Sequence, residues 1–425
     1  MQHSIKDDYI NSLKNYTNQF KDTNFRRIAC NDFKSWPGPR EETWRLSRLG
    51  SLSRKKIKPI NPNFKKNNTN TSKLNGSTII QFIDGAFRED LSSDMPSGVN
   101  LSILGDSESL EYLQKIKKSN LSNHPSTNAS LSCTPSIMKL TVTKDTKVKD
   151  FFEIIYEGGE NSQSVHPVLY IELKENSSLY LIERFNHLTS LAMPLQLTEL
   201  RNKASLNSIK IFNDYKETHN LSANCAYLSE KSNLNSFSLI KGGIFTRSET
   251  HAYLNGCGAK LNLNGIYISG NKQHHDLTTA IYHDVSDCTS KQIVRGVLGG
   301  KSTGVFQGKV KVAKHAQRTD GQQMSRAILL SDSASANAKP ELEIYADDVI
   351  CAHGATVGEL DDDQLFYLNS RGVPMNKARE ILIKAFLEDI INQSVDKSLH
   401  NFVFKEAELA LSSILTKEKS YNETL

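Results

Sequence analysis

Leu261-Asn262-Leu263-Asn264-Gly265-Ile266-Tyr267-Ile268 is a short apolar-rich run that stops at Ser269-Gly270-Asn271. It is one of a long series. Ile137–Val142, Leu169–Leu173, Leu179–Ile182, Leu206–Phe212, Phe237–Ile240, Ile293–Leu298, Val305–Val312 and Leu342–Ile350 are built the same way, with Asn, Ser, Gly and Asp between them. Helical periodicity is nearly absent across the series, so the spacing predicts a mainly β chain. A sandwich fits this pattern too. The many similar runs and the lack of clear two-residue hairpin signals make the case for a coiled solenoid beside it. In such a fold each strand pairs with the coil above and below and shares one interior.

The pattern changes on both sides. Ile5, Tyr9, Leu13, Tyr16 and Phe20 recur at helical spacing, and Trp36-Pro37-Gly38-Pro39 ends that region. Residues 51–77 are rich in Asn and Ser. Lys55, Lys56, Lys65 and Lys66 lie there with no nearby Asp or Glu, which reads as a solvated linker before an anion site. A strand at Ile79–Ile83 and a helix near Leu110–Lys118 follow. Beyond Gly372-Val373-Pro374 the chain turns helical over 376–393 and again over about 404–415. The first of these helices carries two apolar arcs. One is Ile383, Phe386, Leu387 and Ile390; the other is Ala378, Ile381, Leu382 and Ala385. Two arcs need two neighbours, the second helix and either the β region or a partner protein. The division expected is 1–132 mostly helical, 133–362 β core and 363–425 helical.

Composition narrows the class. The chain has 425 residues, 38% hydrophobic, and a formal net charge of +5, which suits two or three globular domains and no nucleic-acid partner. The N-terminal stretch has no apolar signal core, and no run approaches the roughly 18 apolar residues of a membrane helix. A cytoplasmic protein with no membrane insertion is expected. Cys30, Cys133, Cys225, Cys257, Cys288 and Cys351 form no Cys-x-x-Cys, which argues against zinc-ribbon and thioredoxin chemistry. The near-regular spacing of Cys225, Cys257 and Cys288 would suit a ladder in stacked coils, or simply three small buried residues.

Nothing in the sequence places a catalytic motif in the context it needs. Gly300-Lys301-Ser302-Thr303-Gly304 has the Gly-x-Ser-x-Gly spacing, but a β run follows where a nucleophile elbow needs a helix. Gly300-Lys301-Ser302 resembles the end of a phosphate loop, but Arg295 stands where its first Gly belongs, and a β run follows instead of a helix. His274, His275, Asp276 and His283 match no zinc spacing, and His251 and His315 are isolated. The pair that stands out is Cys351 and His353. Residues two apart on a strand share a face, and a thiol beside an imidazole suits iron or zinc. Asp347 has the same parity, so that face is expected to look out of the solenoid. Two donors do not fill a tetrahedral site, so the remaining ligands would come from elsewhere.

These features together resemble the SufB/SufD family of iron–sulfur cluster assembly scaffolds, on its SufD side. The likeness is carried by Cys351-Ala352-His353-Gly354-Ala355-Thr356, Gln273-His274-His275-Asp276-Leu277-Thr278-Thr279, Gly304-Val305-Phe306-Gln307-Gly308-Lys309-Val310, Gln317-Arg318-Thr319-Asp320, Ala327–Ser331 and, more weakly, Glu42-Thr43-Trp44-Arg45 with Leu46 in place of Tyr. The resemblance implies a right-handed parallel β-helix flanked by helical regions. It implies a scaffold that is not an enzyme, holds no tightly bound cofactor alone and sees a transient iron–sulfur cluster in a complex. The implied partners are a SufB-like paralogue and the ATPase SufC, with a homodimer when the chain is alone. SufC docking would fall on the C-terminal helices, at Ile383, Phe386, Leu387 and Ile390. His353 would be a nascent-cluster ligand at the partner interface and Cys351 an auxiliary one. A SufB-type subunit is the near rival, but that branch carries an acidic Glu-His-Glu element where Cys351-Ala352-His353 stands. A β-helix carbohydrate-active or adhesion protein is the distant rival.

Overall fold

The computed structural model describes residues 5–19, 24–38, 40–50, 52, 55–62 and 73–422. Phe20, Pro39, Lys65 and Lys66 lie outside the described residues. The centre is a parallel β-solenoid with two long sheets. Sheet A runs from Ile137–Val142 through Val168–Leu173, Leu195–Leu200, His219–Leu228, Phe245–Leu254, His274–His283 and Thr303–Val312 to Ser335–Ile344. Sheet B runs from Thr78–Ile83 through Lys147–Gly158, Ser178–His187, Ser205–Phe212, Asn233–Ile240, Lys260–Ser269, Thr289–Leu298 and Thr319–Leu329 to Val349–Gly358. From Ile137 onward each coil gives one strand to each sheet, so sequence neighbours in the parallel coils face each other across the interior and do not pair directly. This explains the missing hairpin signals.

The interior is filled by alternate residues of both sheets. Leu277, Ile281, Phe306 and Val310 of sheet A meet Leu261, Leu263, Tyr267 and Val294 of sheet B in one core. In-register rings stack from coil to coil. Tyr156, Phe185 and Phe212 follow one another at centroid spacings of 4.7 and 4.5 Å. Space is tight beside Tyr267: a Cβ on Gly296 or Gly304 would come within 2.2 or 2.3 Å of its ring, so both positions require glycine.

Helices cover the outer faces. On sheet A lie α1 (Ile5–Thr17), α2 (Asn24–Asp32), α3 (Asp106–Lys117) and α4 (Pro125–Cys133). Neither α2 nor α4 shows in the sequence pattern; α4 is mostly Ser, Thr and Asn and is wholly buried. On sheet B lie α6 (Met375–Ser394) and α7 (Lys397–Asn422), which α5 (Asp362–Ser370) precedes. No helix among the described residues is long and apolar enough to cross a membrane.

Several expectations change here. The strand at Thr78–Ile83 belongs to sheet B and Val99–Ile103 to sheet A, so the sheets begin well before residue 133. The stretch expected as a linker carries Lys58–Pro59 paired with Gln163–Ser164, and Ile57 and Ile60 are buried. Leu342–Ile350 is not one strand: the chain turns a corner at 345–348. Cys225 lies among helices on the outer face of sheet A, Cys257 is exposed at a turn, and Cys288 is buried at another, so no ladder forms.

Candidate functional site at the open end of the solenoid

The two ends of the solenoid differ. At the first end, Val99–Ile103 pairs antiparallel with Ile137–Val142, and Ala86–Phe87 folds back on Thr78–Ile83. At the last end, Ser335–Ile344 and Val349–Gly358 each have a neighbour on one side only. An uncovered edge strand is a template for pairing, and proteins usually guard it with charge or proline. Sheet A is guarded in that way by Lys339, Pro340, Glu341 and Glu343. Sheet B is not: Val349-Ile350-Cys351-Ala352-His353-Gly354-Ala355-Thr356-Val357-Gly358 contains no Asp, Glu, Lys or Arg. Ile350 is 70% exposed.

Register fixes where the Cys–His pair points. Cys351 pairs with Gly321, and His353 with Gln323. The Cys351 Sγ lies 3.4 Å from where a Cβ on Gly321 would sit, and the same point is 3.4 Å from Val310 Cγ1 and 3.7 Å from Ser290 Oγ. Those are interior groups. Cys351 and His353 therefore share a face, and that face is the lumen side of the last coil, not the outside as Asp347 suggested. Asp347 sits in the corner before the strand, where alternation does not hold. Because no coil follows, the lumen opens at this point; Cys351 is half-buried and His353 exposed. Burial pushes the Cys351 thiol above its ordinary pKa, and Asp320 adds to the effect. Both effects favour the thiol, and a bound metal would favour the thiolate.

The pair remains two donors. Among the described residues, no group of three or more His, Cys, Asp or Glu is placed to hold a metal ion. The His cluster is not one: His275 and His283 point inward to Ser269 and Ser290, while His274 and Asp276 face out to Ser47. His251 is not isolated, for it bonds Glu249 at 2.9 Å. Gly300-Lys301-Ser302 is a turn that leads into the strand Thr303–Val312.

The arc Ile383, Phe386, Leu387 and Ile390 is not an open docking face. Ile383, Leu387 and Ile390 are buried against the outer side of sheet B, with Ile266, Ile268, Ile293 and Val297. Phe386 is half-buried beneath the Arg295 guanidinium, 5.2 Å from its ring centre. The sheet takes this arc because its own outer face is apolar. What stays exposed on these helices is Phe366 and Tyr367 on α5, Met375 and Ile381 on α6, and Leu409 on α7.

Sequence reasoning missed a buried charged cluster beneath the N-terminal segment. Arg247 is fully buried and pairs with Glu249 at 2.6 Å and Asp276 at 2.8 Å. Trp44 covers its guanidinium at 4.1 Å, the Thr43 carbonyl accepts from it at 2.9 Å, and Ser47 donates to Asp276. Burial opposes ionisation of Glu249, but Arg247, His251 and His124 outweigh it and hold the carboxyl well below its usual range. Glu42 extends the contact to Lys339 in the last coil of sheet A. A cavity of about 340 Å³ lies elsewhere, between α3 and sheet A. Its Lys115 and Arg201 are already paired with Glu199, and it holds none of the Cys–His chemistry.

Residues 155–386 match the family model "SUF system FeS cluster assembly, SufBD core domain". The chain is similar to the iron–sulfur cluster assembly protein SufD of Escherichia coli, 33% identical over 57% of this chain and 58% of that protein, less than two thirds of its length. It is similar to protein ABCI7, chloroplastic, of Arabidopsis thaliana, 26% identical over 86% of this chain and 81% of that one. It also matches SufD of Bacillus subtilis, 32% identical over 35% of this chain and 34% of that protein. With its core matched over more than half its length and its solenoid ending in Cys351 and His353, the chain belongs to the SufB/SufD family of the SUF iron–sulfur cluster assembly system and is SufD-like.

Proposed function

We propose that this chain is a non-catalytic scaffold subunit for iron–sulfur cluster assembly. The observation that carries the reading is the incomplete pair of donors, Cys351 and His353, at the open lumen end, on an uncharged ten-residue edge strand that is paired on one side only. A SufB-like paralogue pairing with that edge supplies the missing donors, so the nascent cluster is cargo held between two chains. His353 is the primary ligand, as a neutral imidazole; Cys351, a thiol at rest, is auxiliary. SufC is recruited through the remaining apolar surface of the C-terminal helices, at Phe366, Tyr367, Met375 and Ile381, because the opposite face of α6 is used within the chain.

The test is His353→Ala in the co-expressed complex. Iron and sulfide per complex should fall several-fold while the complex still elutes intact, and Cys351→Ser should have the smaller effect. Normal iron and sulfide in the His353→Ala complex would remove the ligand role. Loss of the complex itself would make His353 a residue of the interface only.

A further inference from the structure

The column beneath His353 contains polar groups that the fold leaves unused. In register below it stand Gln323 and then Gln292, one per coil, all pointing into the lumen. In-register side chains on neighbouring parallel strands sit about 4.8 Å apart, close enough for one amide to reach the next group. Gln292 is anchored, since Thr279 Oγ1 donates to its Oε1, and its Nε2 lacks a partner. Gln323 is only 2% exposed, yet neither its Oε1 nor its Nε2 has a partner. Space is kept for that amide across the lumen by Gly308, whose Cβ, if present, would come within 3.2 Å of Gln323 Nε2. The His353 imidazole, next in the column, makes no hydrogen bond among the described residues.

A buried amide with both ends unpaired is uncommon, because it loses its water without replacement. A histidine that offers one nitrogen to a metal ordinarily donates the other N–H to a fixed oxygen, which sets the tautomer and the ring plane. Each group here lacks what the other provides. We propose that Gln323 is the positioning residue of the site: its Oε1 accepts the N–H of His353, so that the other ring nitrogen presents its lone pair to the open end. The inference rests on the ligand role proposed above for His353. It adds that the ligand is oriented from inside its own solenoid and not by the partner chain.

The experiment uses the full chain with ¹⁵N-labelled histidine, and the His353 signals are assigned by their absence in His353→Ala. Long-range ¹⁵N–¹H correlation reads the tautomer. In the unaltered chain one neutral tautomer should dominate. Gln323→Met keeps the volume and removes both unpaired polar atoms, so it should fold, and it should let His353 fall into a mixture of tautomers. Gln323→Glu keeps an acceptor and should restore the single tautomer. In the co-expressed complex Gln323→Met should lower Fe²⁺ affinity by about 10-fold or more, with Gln323→Glu near the unaltered level. An unchanged tautomer ratio in Gln323→Met overturns the proposal, and so does a loss of Fe²⁺ affinity that Gln323→Glu fails to restore. The ligand reading fails separately, if His353→Ala leaves Fe²⁺ binding intact, since the tautomer measurement needs no metal.

Discussion

At the scale of single residues, this chain puts its ionic chemistry in two places with opposite purposes. Cys351 and His353 are left short of partners at an open end, whereas Arg247 is surrounded. Its guanidinium has two carboxylates, a backbone carbonyl and the Trp44 ring around it, all hidden from water. Breaking a buried pair by removing one side costs more than the pair itself contributes, because the other charge stays buried. Arg247→Met would leave Glu249 and Asp276 without their main cation. It should lower unfolding free energy by about 3–5 kcal/mol, measured by urea denaturation. A change under about 1 kcal/mol would mean that water reaches the carboxylates. The sequence shows the same-face relation of Cys351 and His353, since residue spacing alone sets it. The inward direction was not readable, because it depends on where the corner at 345–348 ends and alternation begins.

At the scale of elements, α6 spends on its own sheet the apolar arc expected to dock a partner, while the last strand of sheet B, Val349–Gly358, keeps one open edge. Removing residues 375–422 would uncover Ile209, Ile211, Phe237, Ile266 and Ile268 on the sheet. Each fully exposed side chain of this kind loses roughly 1.5–3 kcal/mol of burial. The truncated chain should retain β circular dichroism, as coil-to-coil contacts persist, but should aggregate. A truncated chain that stays monomeric and as heat-resistant as the full one would contradict the packing described. The edge strand has its own test. Ala352 and Ala355 have opposite parity, and in a parallel ladder alternate N–H groups face opposite sides. Of Ala352→Pro and Ala355→Pro, therefore, one removes a donor to the neighbouring coil and the other a donor at the open edge. One variant should fold normally and lose the association proposed above, with a paralogue or with a second copy of the chain. Full association by both variants would rule out strand pairing as the mode of contact.

At the scale of the whole molecule, the fold hides an unusual number of neutral histidines. Burial lowers His124, His219 and His283 to a pKa of about 4 and His166 and His275 to about 3, from an ordinary 6.5. With the folded values below the unfolded one, the unfolded chain binds more protons as pH falls. Their contribution is complete above about pH 6.5 and is lost as pH drops toward 4 and then 3. Each contributes a slope of up to about 1.4 kcal/mol per pH unit. Urea midpoints should thus fall steadily between pH 6.5 and 4, before most carboxylates titrate; a flat profile there would show that these histidines reach solvent. The sequence by itself determined the repeating β runs, the helical flanks and the Cys351/His353 pair, because these depend on local periodicity and on motifs written in consecutive residues. Only the tertiary structure decided that Thr78–Ile83 starts sheet B, that Trp44 closes over Arg247, that α6 serves its own sheet, and that His353 stands above Gln323. Those relations join residues a coil or more apart, and stacking register and the competition among apolar faces for cover set them; no local pattern encodes either.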